Sequence, residues 1–454
     1  MRIFRLPLLS MKKIFKIFTL FVLLLFTAVL FAFSVSAKSA YSVECKNAEY
    51  ADAIYLYSYD AQSVIYSKNE KKIVSPASTV KIMTGLLVCE RLSDRLDERV
   101  TITDEMLAGH EGISMGLKVG SSYFIKDLLY GAICGGYNDA AQCLAIICSG
   151  SVDDFVREMN LRASRLEMRA TIYKNPTGLD HGGAQTTVSD VAILSKVAVK
   201  NELYMKISST KSYSYKNAEG LDATLYNRNA LISHFTANQY INKYANGLNA
   251  GSTDNGGYVV STLAKANGMD YLCIVMGAEN EGGQIYSYKI ANELIDNAVS
   301  KFGSIKIISK NEKVSTLPVE CALATDTEIK ISCITEEDVY GFVPKNVDLN
   351  KQLEYRVYFH DTVLTAPISK GDILGGMNVY LDGRLVGSTR IISNTTVAEN
   401  SFLIFMKNMK EFLLSRYFLT FVVIVIPALA IFLYFDFRRQ RRTKVGYVKY
   451  KRIY

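Results

Sequence analysis

Ser78 and Lys81 are the residues of this chain whose types and spacing best fit chemistry. They lie in the segment Pro76-Ala-Ser-Thr-Val-Lys-Ile-Met-Thr84. If this segment begins a helix, the two side chains lie one turn apart on the same face. A partly desolvated lysine can lose its charge and accept the serine proton, and a helix N-terminus favours the developing negative charge. The spacing therefore predicts a serine nucleophile with a lysine base, and we expect Lys81 Nζ within about 3.5 Å of Ser78 Oγ.

The same pair of residues also has a simpler interpretation. Serine and lysine three positions apart occur by chance in most long chains. The serine would then be a helix N-cap, and the lysine would be solvated. The pair alone does not decide between these interpretations, so the surrounding sequence must.

The N-terminal residues have the pattern of a secretory signal. Residues 1–16 carry five basic residues and no acidic one, and Ile17–Phe33 is apolar apart from two threonines. The small residues Val35-Ser-Ala37 follow, as a signal peptidase requires. We predict a signal peptide over residues 1–37. An uncleaved N-terminal anchor helix is the alternative.

The C-terminal residues have the pattern of a membrane anchor. Phe418–Phe435 contains 18 residues without a charge. A helix of that length is about 27 Å long, which suits a bilayer core of about 30 Å. We predict a transmembrane helix over residues 416–436 and a basic cytoplasmic tail over 437–454. The two basic ends then place residues 38–417 on the outer side of the cell membrane. The chain would be attached to this membrane by its single C-terminal helix.

The net charge of +8 belongs to the two ends of the chain. Residues 1–16 contribute +5 and the segment from Asp436 onward contributes +7, so the region between them carries −4. That region is mildly acidic and has no basic patch for nucleic acid. Its length of about 380 residues exceeds what one hydrophobic core supports, so we expect two domains.

The cysteines and histidines give no sign of metal chemistry. The eight cysteines lie mostly within apolar segments and lack the clustered spacing of a disulfide scaffold or a zinc site. None of the four histidines has metal-ligand spacing. We therefore interpret the thiols as small core residues and predict neither a metal nor a cofactor.

The hydrophobic pattern divides the chain near Phe302. Residues 43–300 mix alternating strand patterns with helical ones, including a helical stretch over about 125–200. This pattern predicts an α/β domain, with an antiparallel sheet flanked by helices and a helical lobe. Residues 303–395 contain short β-rich runs separated by turns, which predicts a small all-β sandwich.

Several motifs occur in the order found in a known family. The segment around Ser78 resembles the nucleophile segment of the low-molecular-weight penicillin-binding proteins, which are serine D-Ala-D-Ala carboxypeptidases of bacterial cell walls. The resemblance covers about residues 43–395. Four further segments carry it: Gly112-Ile-Ser-Met-Gly-Leu-Lys-Val-Gly120, Asn138-Asp-Ala-Ala141, Lys174-Asn-Pro-Thr-Gly-Leu-Asp180 and Thr365-Ala-Pro-Ile-Ser-Lys-Gly-Asp372.

The resemblance implies a fold, a reaction and partners. The first domain would have the fold shared by β-lactamases and penicillin-binding proteins. Ser78 would attack the carbonyl of the penultimate D-Ala of a peptidoglycan pentapeptide stem, Lys81 would take its proton, and water would hydrolyse the acyl-enzyme. Backbone N–H groups of Ser78 and of the strand near Ser252 would hold the oxyanion. β-Lactams would acylate the same serine.

Two motifs of the family are altered in this chain. The family's second motif is Ser-x-Asn, and the aligned residues are Gly136-Tyr137-Asn138. Its third motif is Lys-Thr-Gly on an edge strand, and the aligned residues are Asn249-Ala250-Gly251. The chain therefore lacks the serine hydroxyl that would relay a proton, and the lysine that would attract the substrate's terminal carboxylate.

The resemblance also assigns substrate-binding residues. We predict Ser78 and Lys81 as catalytic residues. The predicted substrate-binding residues are Asn138, Asn249, Gly251 and Ser252. The nearby residues that would compensate for the altered motifs are Lys243, Ser252 and Thr253.

Three functions remain open at this point. The first is a serine-type D-Ala-D-Ala carboxypeptidase at the outer face of the cell membrane, favoured by the intact Ser78 and Lys81. The second is a catalytically degenerate relative that binds wall peptides without efficient turnover, favoured by Gly136, Asn249 and Ala250. The third is a related acyl transfer, as in a β-lactamase or an esterase.

Overall fold

The computed structural model describes residues 41–234, 238–323 and 329–443. The predicted signal peptide and the end of the predicted basic tail lie outside the described residues. The chain divides into two compact units. The first unit runs to Ile305 and takes in Gly341–Gln352, and the second contains Lys306–Tyr340 and continues from Leu353.

The helices of the described residues lie mainly in the first unit. In chain order they are α1 (Val80–Leu92), α2 (Asp104–Leu107), α3 (Ile125–Ile133), α4 (Asn138–Ser149), α5 (Val152–Arg165), α6 (Val188–Lys200), α7 (Glu202–Ser208), α8 (Tyr286–Lys301), α9 (Leu349–Gln352), α10 (Ser401–Leu414), α11 (Arg416–Thr420) and α12 (Ile426–Thr443). Short 3₁₀ turns occur at Ala48–Tyr50, Ala77–Thr79 and Asn238–Tyr240.

The strands lie in both units. In chain order they are β1 (Ala51–Ser58), β2 (Ser63–Lys68), β3 (Arg99–Thr101), β4 (Ser122–Phe124), β5 (Ser212–Lys216), β6 (Asp222–Tyr226), β7 (Ala245–Thr253), β8 (Gly257–Ala266), β9 (Met269–Ala278), β10 (Asn280–Glu281), β11 (Gln284–Ile285), β12 (Phe302–Ile308), β13 (Lys313–Glu320), β14 (Ile329–Thr335), β15 (Val339–Pro344), β16 (Leu353–Phe359), β17 (Leu364–Thr365), β18 (Ile373–Leu381) and β19 (Arg384–Ser393).

A five-stranded antiparallel sheet organises the first unit. Its strand order is β2-β1-β9-β8-β7, so β7 is an edge strand. Helices α6 and α8 both pack against β9. Seven of the eight residues Tyr271–Ala278 are buried, because helices cover this central strand. The edge position of β7 leaves part of its main chain free to pair with another extended segment.

Helix α1 is the centre of the helical lobe. It packs against α3, α4 and α5. Its side chains Ile82, Met83, Leu86 and Val88 are each 0% exposed. Ten consecutive residues of this helix, Val80–Cys89, are buried, so the rest of the lobe encloses this part of the helix and fixes its position. Since Ser78 directly precedes α1, the core of the lobe also fixes the position of this serine.

The second unit is built on a six-stranded sheet. Its order is β16-β18-β19-β14-β13-β17, with β13 and β17 parallel and the other pairs antiparallel. A 25-residue helical stretch, Arg416–Gln440, follows it and includes a π-helical segment at Phe421–Val425. It is long and apolar enough to cross a membrane, and its most apolar part is not buried. This helix is compatible with a membrane anchor.

The fold predicted from the sequence is confirmed. The structure has the antiparallel sheet flanked by helices, the C-terminal all-β region and one apolar C-terminal helix. All eight cysteines are free, and five of them are buried, which agrees with their interpretation as core residues. The domain boundaries drawn from the sequence remain predictions. In the structure, Gly341–Gln352 belongs to the first compact unit.

Candidate active site

Ser78 lies in a tight turn at the start of α1. The turn is the 3₁₀ segment Ala77–Thr79, and Ser78 is 7% exposed. The residue before it, Ala77, has a φ of +44°, which is rare for a residue with a Cβ. The surrounding structure must hold this strained backbone, and such strain is concentrated at functional sites. The turn continues directly into α1, so Lys81 lies in the first turn of that helix.

Lys81 is buried in the same cleft as Ser78, and the pKa of its amine is lowered. It is 3% exposed, and its Nζ donates a 2.6 Å hydrogen bond to the carbonyl of Thr177. Burial, and to a lesser extent the positive charge of Arg228, lowers the pKa of Lys81 to about 7. A lysine with that pKa is partly neutral near pH 7 and can accept a proton.

The expected contact between Lys81 Nζ and Ser78 Oγ is not among the hydrogen bonds of the described residues. In this part of the chain, the hydrogen bond of Lys81 runs to Thr177 instead. A buried amine needs an acceptor, and the nearby carbonyl provides it. Hydrogen bonds of catalytic groups often tighten only when substrate is bound. Lys81 must therefore turn from Thr177 towards Ser78 to act as its base.

The loop over residues 175–179 fixes this carbonyl in place. Asn175 Oδ1 accepts hydrogen bonds from the N–H groups of Gly178 at 2.7 Å and Thr177 at 3.1 Å. From α1, Thr84 Oγ1 donates to the carbonyl of Pro176 at 2.7 Å. The asparagine holds the turn through its own side chain, as such residues commonly do. These hydrogen bonds hold the turn Asn175-Pro-Thr-Gly178 in place beside Lys81.

Strand β7 passes against Ser78 at Gly251. A Cβ at this position would lie 2.3 Å from Ser78 Oγ and 2.7 Å from Ser78 Cβ. Only a glycine allows so close an approach. The next residue, Ser252, is exposed. The edge strand thus brings its main chain next to Ser78 Oγ.

Asn138 is the first residue of α4 and presents an unpaired acceptor. Its Nδ2 donates to the carbonyl of Glu111 at 2.8 Å, and its main-chain N–H donates to Ile113 at 2.8 Å. Its Oδ1 is buried and has no partner among the described residues. A buried acceptor without a partner carries a free-energy cost that a ligand can relieve. An amide N–H of a bound peptide would satisfy it.

Asp139, the residue after Asn138, is a structural acceptor. It is 0% exposed. Its carboxylate accepts hydrogen bonds from Ser114 Oγ at 2.5 Å and from the N–H of Met115 at 2.8 Å, and also from the N–H groups of Gly116 and Leu117. These bonds fix the loop that precedes α3. The side chain is therefore occupied and is not an acid catalyst.

These elements enclose a cleft of about 420 Å³. Four predicted site residues line it, namely Ser78, Lys81, Asn138 and Ser252. The others lining it are Glu111, Gly112, Ile113, Thr177, Leu179, Asp180, Arg228, Thr253 and Asp254. Within the described residues, no group of three or more His, Cys, Asp or Glu side chains could hold a metal ion.

The predicted residues Asn249 and Gly251, and also Lys243, are not among the residues that line this cleft, although Gly251 lies directly against Ser78. Asn249 is 3% exposed, and its Oδ1 is buried without a partner among the described residues. It lies two residues before Gly251 and therefore on the same face of β7. Lys243 lies near the ring of Tyr244, with Nζ 4.9 Å from the ring centroid. Of the residues suggested as compensating for the altered motifs, Ser252 and Thr253 do line the cleft.

Arg228 is the cleft residue that sequence reasoning missed. It follows β6, in the triplet Asn227-Arg228-Asn229. This polar triplet directly precedes the apolar segment Ala230-Leu-Ile232. The change from polar to apolar residues was the sequence feature that could have pointed to Arg228. No spacing rule connects it to Ser78, which lies 150 positions earlier. Only the tertiary structure brings it to the cleft.

Two family models match the chain. One, described as D-alanyl-D-alanine carboxypeptidase, matches residues 40–280. The other, described as penicillin-binding protein 5, C-terminal domain, matches residues 302–399. Together they cover both regions that the hydrophobic pattern distinguishes.

Curated relatives match over most of the chain. The D-alanyl-D-alanine carboxypeptidase DacF of Bacillus subtilis is 27% identical over 385 residues, which are 83% of this chain and 93% of that protein. The D-alanyl-D-alanine carboxypeptidase DacD of Escherichia coli is 27% identical over 361 residues, which are 78% of this chain and 88% of that protein.

Solved structures show the same fold. Penicillin-binding protein 5 of Haemophilus influenzae is 24% identical, with a TM-score of 0.55 over 77% of this chain and 98% of that one. A peptidoglycan synthesis regulatory factor (PBP3) of Streptococcus pneumoniae is 20% identical, with a TM-score of 0.58 over 77% of this chain and 99% of that one. Since a family model matches more than half of its residues, this chain belongs to the D-alanyl-D-alanine carboxypeptidase family of serine-type hydrolases.

Proposed function

We propose that this protein is a serine-type D-Ala-D-Ala carboxypeptidase that hydrolyses peptidoglycan pentapeptide stems through an acyl-enzyme on Ser78. One observation carries the proposal. Lys81 is buried in the first turn of the helix that follows Ser78, with its pKa lowered to about 7, in a cleft bounded by the edge strand β7. A serine needs such a base before it can attack an amide.

The reaction would begin with a proton transfer to Lys81. Its neutral amine turns from Thr177 and takes the proton of Ser78 Oγ, which attacks the carbonyl carbon of the penultimate D-Ala. The amide C–N bond breaks, the protonated Lys81 returns a proton to the leaving nitrogen, and D-Ala departs. Water then attacks the ester on Ser78, assisted by the same amine, and the carboxylate product leaves.

The cleft would orient the peptide through three groups. Strand β7 offers main-chain groups beside Gly251, where an extended peptide adds as a further strand. The unpaired Oδ1 of Asn138 accepts an amide N–H of the substrate. The N–H groups of Ser78 and Ser252 are our candidates for the oxyanion hole. These roles use the predicted site residues Ser78, Asn138, Gly251 and Ser252. Asn249 would lie behind this surface.

The place of action follows from the ends of the chain. We propose that Arg416–Gln440 anchors the protein in the cell membrane with the basic tail in the cytoplasm. The two compact units would then lie on the cell-wall side, where stem peptides occur. β-Lactams would acylate Ser78, because they present a strained carbonyl to the same nucleophile.

A peptide-binding protein without efficient turnover is the second candidate. It is favoured by Gly136, Asn249 and Ala250, which replace groups that stabilise charge in the family. Loss of one such group costs about 10²–10³ in rate. A purely binding protein, however, does not need a buried lysine with a pKa near 7. This property of Lys81, with the carboxypeptidase names of the relatives, supports the enzyme.

Acylation by a fluorescent penicillin tests the nucleophile. The full chain in detergent should form a covalent adduct that survives denaturation, and Ser78→Ala should abolish it. Ser300→Ala is the matched control, since this serine is exposed on α8 and should leave labelling unchanged. Equal labelling of Ser78→Ala and the unmodified protein would refute Ser78 as the nucleophile.

A further inference from the structure

The second unit has an open sheet edge. Strand β16 (Leu353–Phe359) is the outermost strand of the six-stranded sheet and pairs with β18. Its five central residues, 354–358, are all exposed. Among the described residues, no other segment makes a main-chain hydrogen bond to the outer side of β16. An edge of this kind can pair with another extended chain.

One hydrogen bond identifies the main-chain groups of β16 that point outward. The N–H of His360 donates to the carbonyl of Leu374 at 2.9 Å, in register with the pairing of β16 and β18. In an antiparallel pair, every second residue directs both of its main-chain groups at the partner strand. Positions 354, 356 and 358 therefore bond to β18. Positions 353, 355, 357 and 359 direct their N–H and carbonyl groups away from the sheet.

The opposite edge of the same sheet is protected. Strand β17 has only two residues, and Lys407 of α10 donates a 2.5 Å hydrogen bond to Thr365 Oγ1 at this edge. Short edge strands and lysine side chains are common protection against pairing with other chains. Strand β16 contains no proline, and its seven residue pairs with β18 run without a register shift. It is therefore a long and regular edge without such protection.

The charges of β16 favour a second copy of this chain as the occupant. Glu354 and Arg356 flank Tyr355 and form an exposed ion pair, with Arg356 Nε 2.7 Å from Glu354 Oε1. A second β16 laid antiparallel, with the two Tyr355 residues opposite each other, places Glu354 opposite Arg356 of the second copy. The symmetry places Arg356 opposite Glu354 of that copy. Opposite charges directly across a strand pair stabilise it, and like charges destabilise it.

The outward main-chain groups fit the same register. Position 355 meets position 355 of the second copy, and position 353 meets position 357, so all of these residues direct their main-chain groups at the new partner. The three hydrogen-bonded residue pairs would make about six main-chain hydrogen bonds. Glu354 and Arg356 then occupy the non-hydrogen-bonded positions, where side chains across a strand pair lie closest.

The neighbouring registers are unfavourable. A shift of the second copy by one residue would oppose outward main-chain groups to groups already bonded to β18, so the hydrogen bonds could not form. A shift by two residues restores the hydrogen bonds but opposes Arg356 to Arg356, or Glu354 to Glu354. Such like-charge pairs are destabilising. The sequence of β16 thus selects the register centred on Tyr355.

We propose that β16 is the contact surface of a homodimer, in which the β16 strands of two copies pair antiparallel about a two-fold axis at Tyr355. The two six-stranded sheets then form one continuous sheet. The contact uses the same residues of both copies, as closed two-fold interfaces do. One strand pair is a small interface, so we expect a dissociation constant of about 1–100 µM in detergent. Attachment of both copies to one membrane would raise their effective concentration.

Charge reversal tests the contact. The dissociation constant of the full chain in detergent is measured by sedimentation up to about 200 µM, above the range expected of this interface. Arg356→Glu opposes two acids in each cross-strand pair, and Glu354→Arg opposes two arginines. Each single variant should weaken the dimer by about 10-fold or more. The double variant Glu354→Arg/Arg356→Glu opposes unlike charges again and should come within about 3-fold of the unmodified chain.

Mixing the two single variants gives an independent test. One carries acids at positions 354 and 356 and the other carries arginines there, so both cross-strand pairs of a mixed dimer join opposite charges. The mixture should form heterodimers at concentrations where each variant alone is monomeric. Lys216→Glu is the matched control: it reverses a charge of an exposed ion pair with Asp222 in the first unit and should leave dimerisation unchanged. All of these side chains are exposed, so the variants should fold.

A proline tests the main-chain pairing. Tyr355→Pro removes an N–H that points away from β18, which an edge strand tolerates, and it should abolish the dimer. Tyr355→Ala keeps this N–H and should leave a measurable dimer.

Two results would overturn the proposal. A chain that stays monomeric at about 200 µM, above the range expected of this interface, would leave β16 to a strand of a different protein. A dimer that charge reversal and Tyr355→Pro do not weaken would place the contact elsewhere, such as in the apolar C-terminal helix. Rescue by the double variant and by mixing would establish the register. These measurements do not involve Ser78, so they are independent of the proposed function.

Discussion

Lys81 and Thr177 are joined by a 2.6 Å hydrogen bond from the buried amine to a main-chain carbonyl. The bond satisfies the lysine in the ligand-free cleft and keeps it one helical turn from Ser78. The carbonyl belongs to a turn that the side chain of Asn175 closes. The amine of Lys81 is therefore held in a defined position with its pKa already near 7.

This arrangement predicts the pH dependence of acylation. Below a pH of about 7, Lys81 is protonated and cannot accept the serine proton, so the rate should rise with pH and level off above about 8. The second-order rate constant of penicillin acylation, measured from pH 5 to 9, should have its midpoint near 7. A rise centred near 10, the range of an exposed lysine, would contradict a buried base.

Gly251→Ala should abolish most of the acylation. The added Cβ would lie 2.3 Å from Ser78 Oγ, so the strand or the serine must move. A displacement of about 1 Å costs about 10²-fold in rate, and we expect at least that loss. Gly182→Ala is the control, because nothing lies within 4 Å of its added Cβ. Acylation of Gly251→Ala at the normal rate would show that β7 and Ser78 are further apart.

Asp139→Ala should destabilise the protein. The substitution leaves buried N–H donors of Met115 and Leu117 without their acceptor. We expect a loss of about 2–4 kcal/mol in the free energy of unfolding, measured by thermal or denaturant unfolding of the full chain in detergent. Asp94→Ala, at an exposed carboxylate, should change it by about 0.5 kcal/mol or less. A neutral effect at Asp139 would mean that the 114–117 loop does not depend on it.

The sequence predicted the helices and strands better than it predicted which distant residues contact one another. Helix α1 and the strand-rich C-terminal region follow from local periodicity, and the structure contains both. These features depend on neighbours along the chain, which a pattern records.

The missed features depend on contacts between distant segments. Arg228 reaches the cleft through main-chain hydrogen bonds to Cys134 and Tyr288, far from it in sequence. The hydrogen bond of Lys81 to Thr177 joins residues 96 positions apart. Asn249 lies on the edge strand β7, and its burial depends on packing. No pattern of residue types encodes such contacts.

Release of D-Ala from a pentapeptide is the most direct test of the account. The full chain in detergent is incubated at pH 8 with a stem pentapeptide that ends in D-Ala-D-Ala, and free D-Ala is measured over time. We predict turnover that Ser78→Ala and Lys81→Met both abolish, while Ser300→Ala leaves it unchanged. Absence of D-Ala release from a preparation that still forms the penicillin adduct on Ser78 would contradict the enzyme and leave the peptide-binding protein.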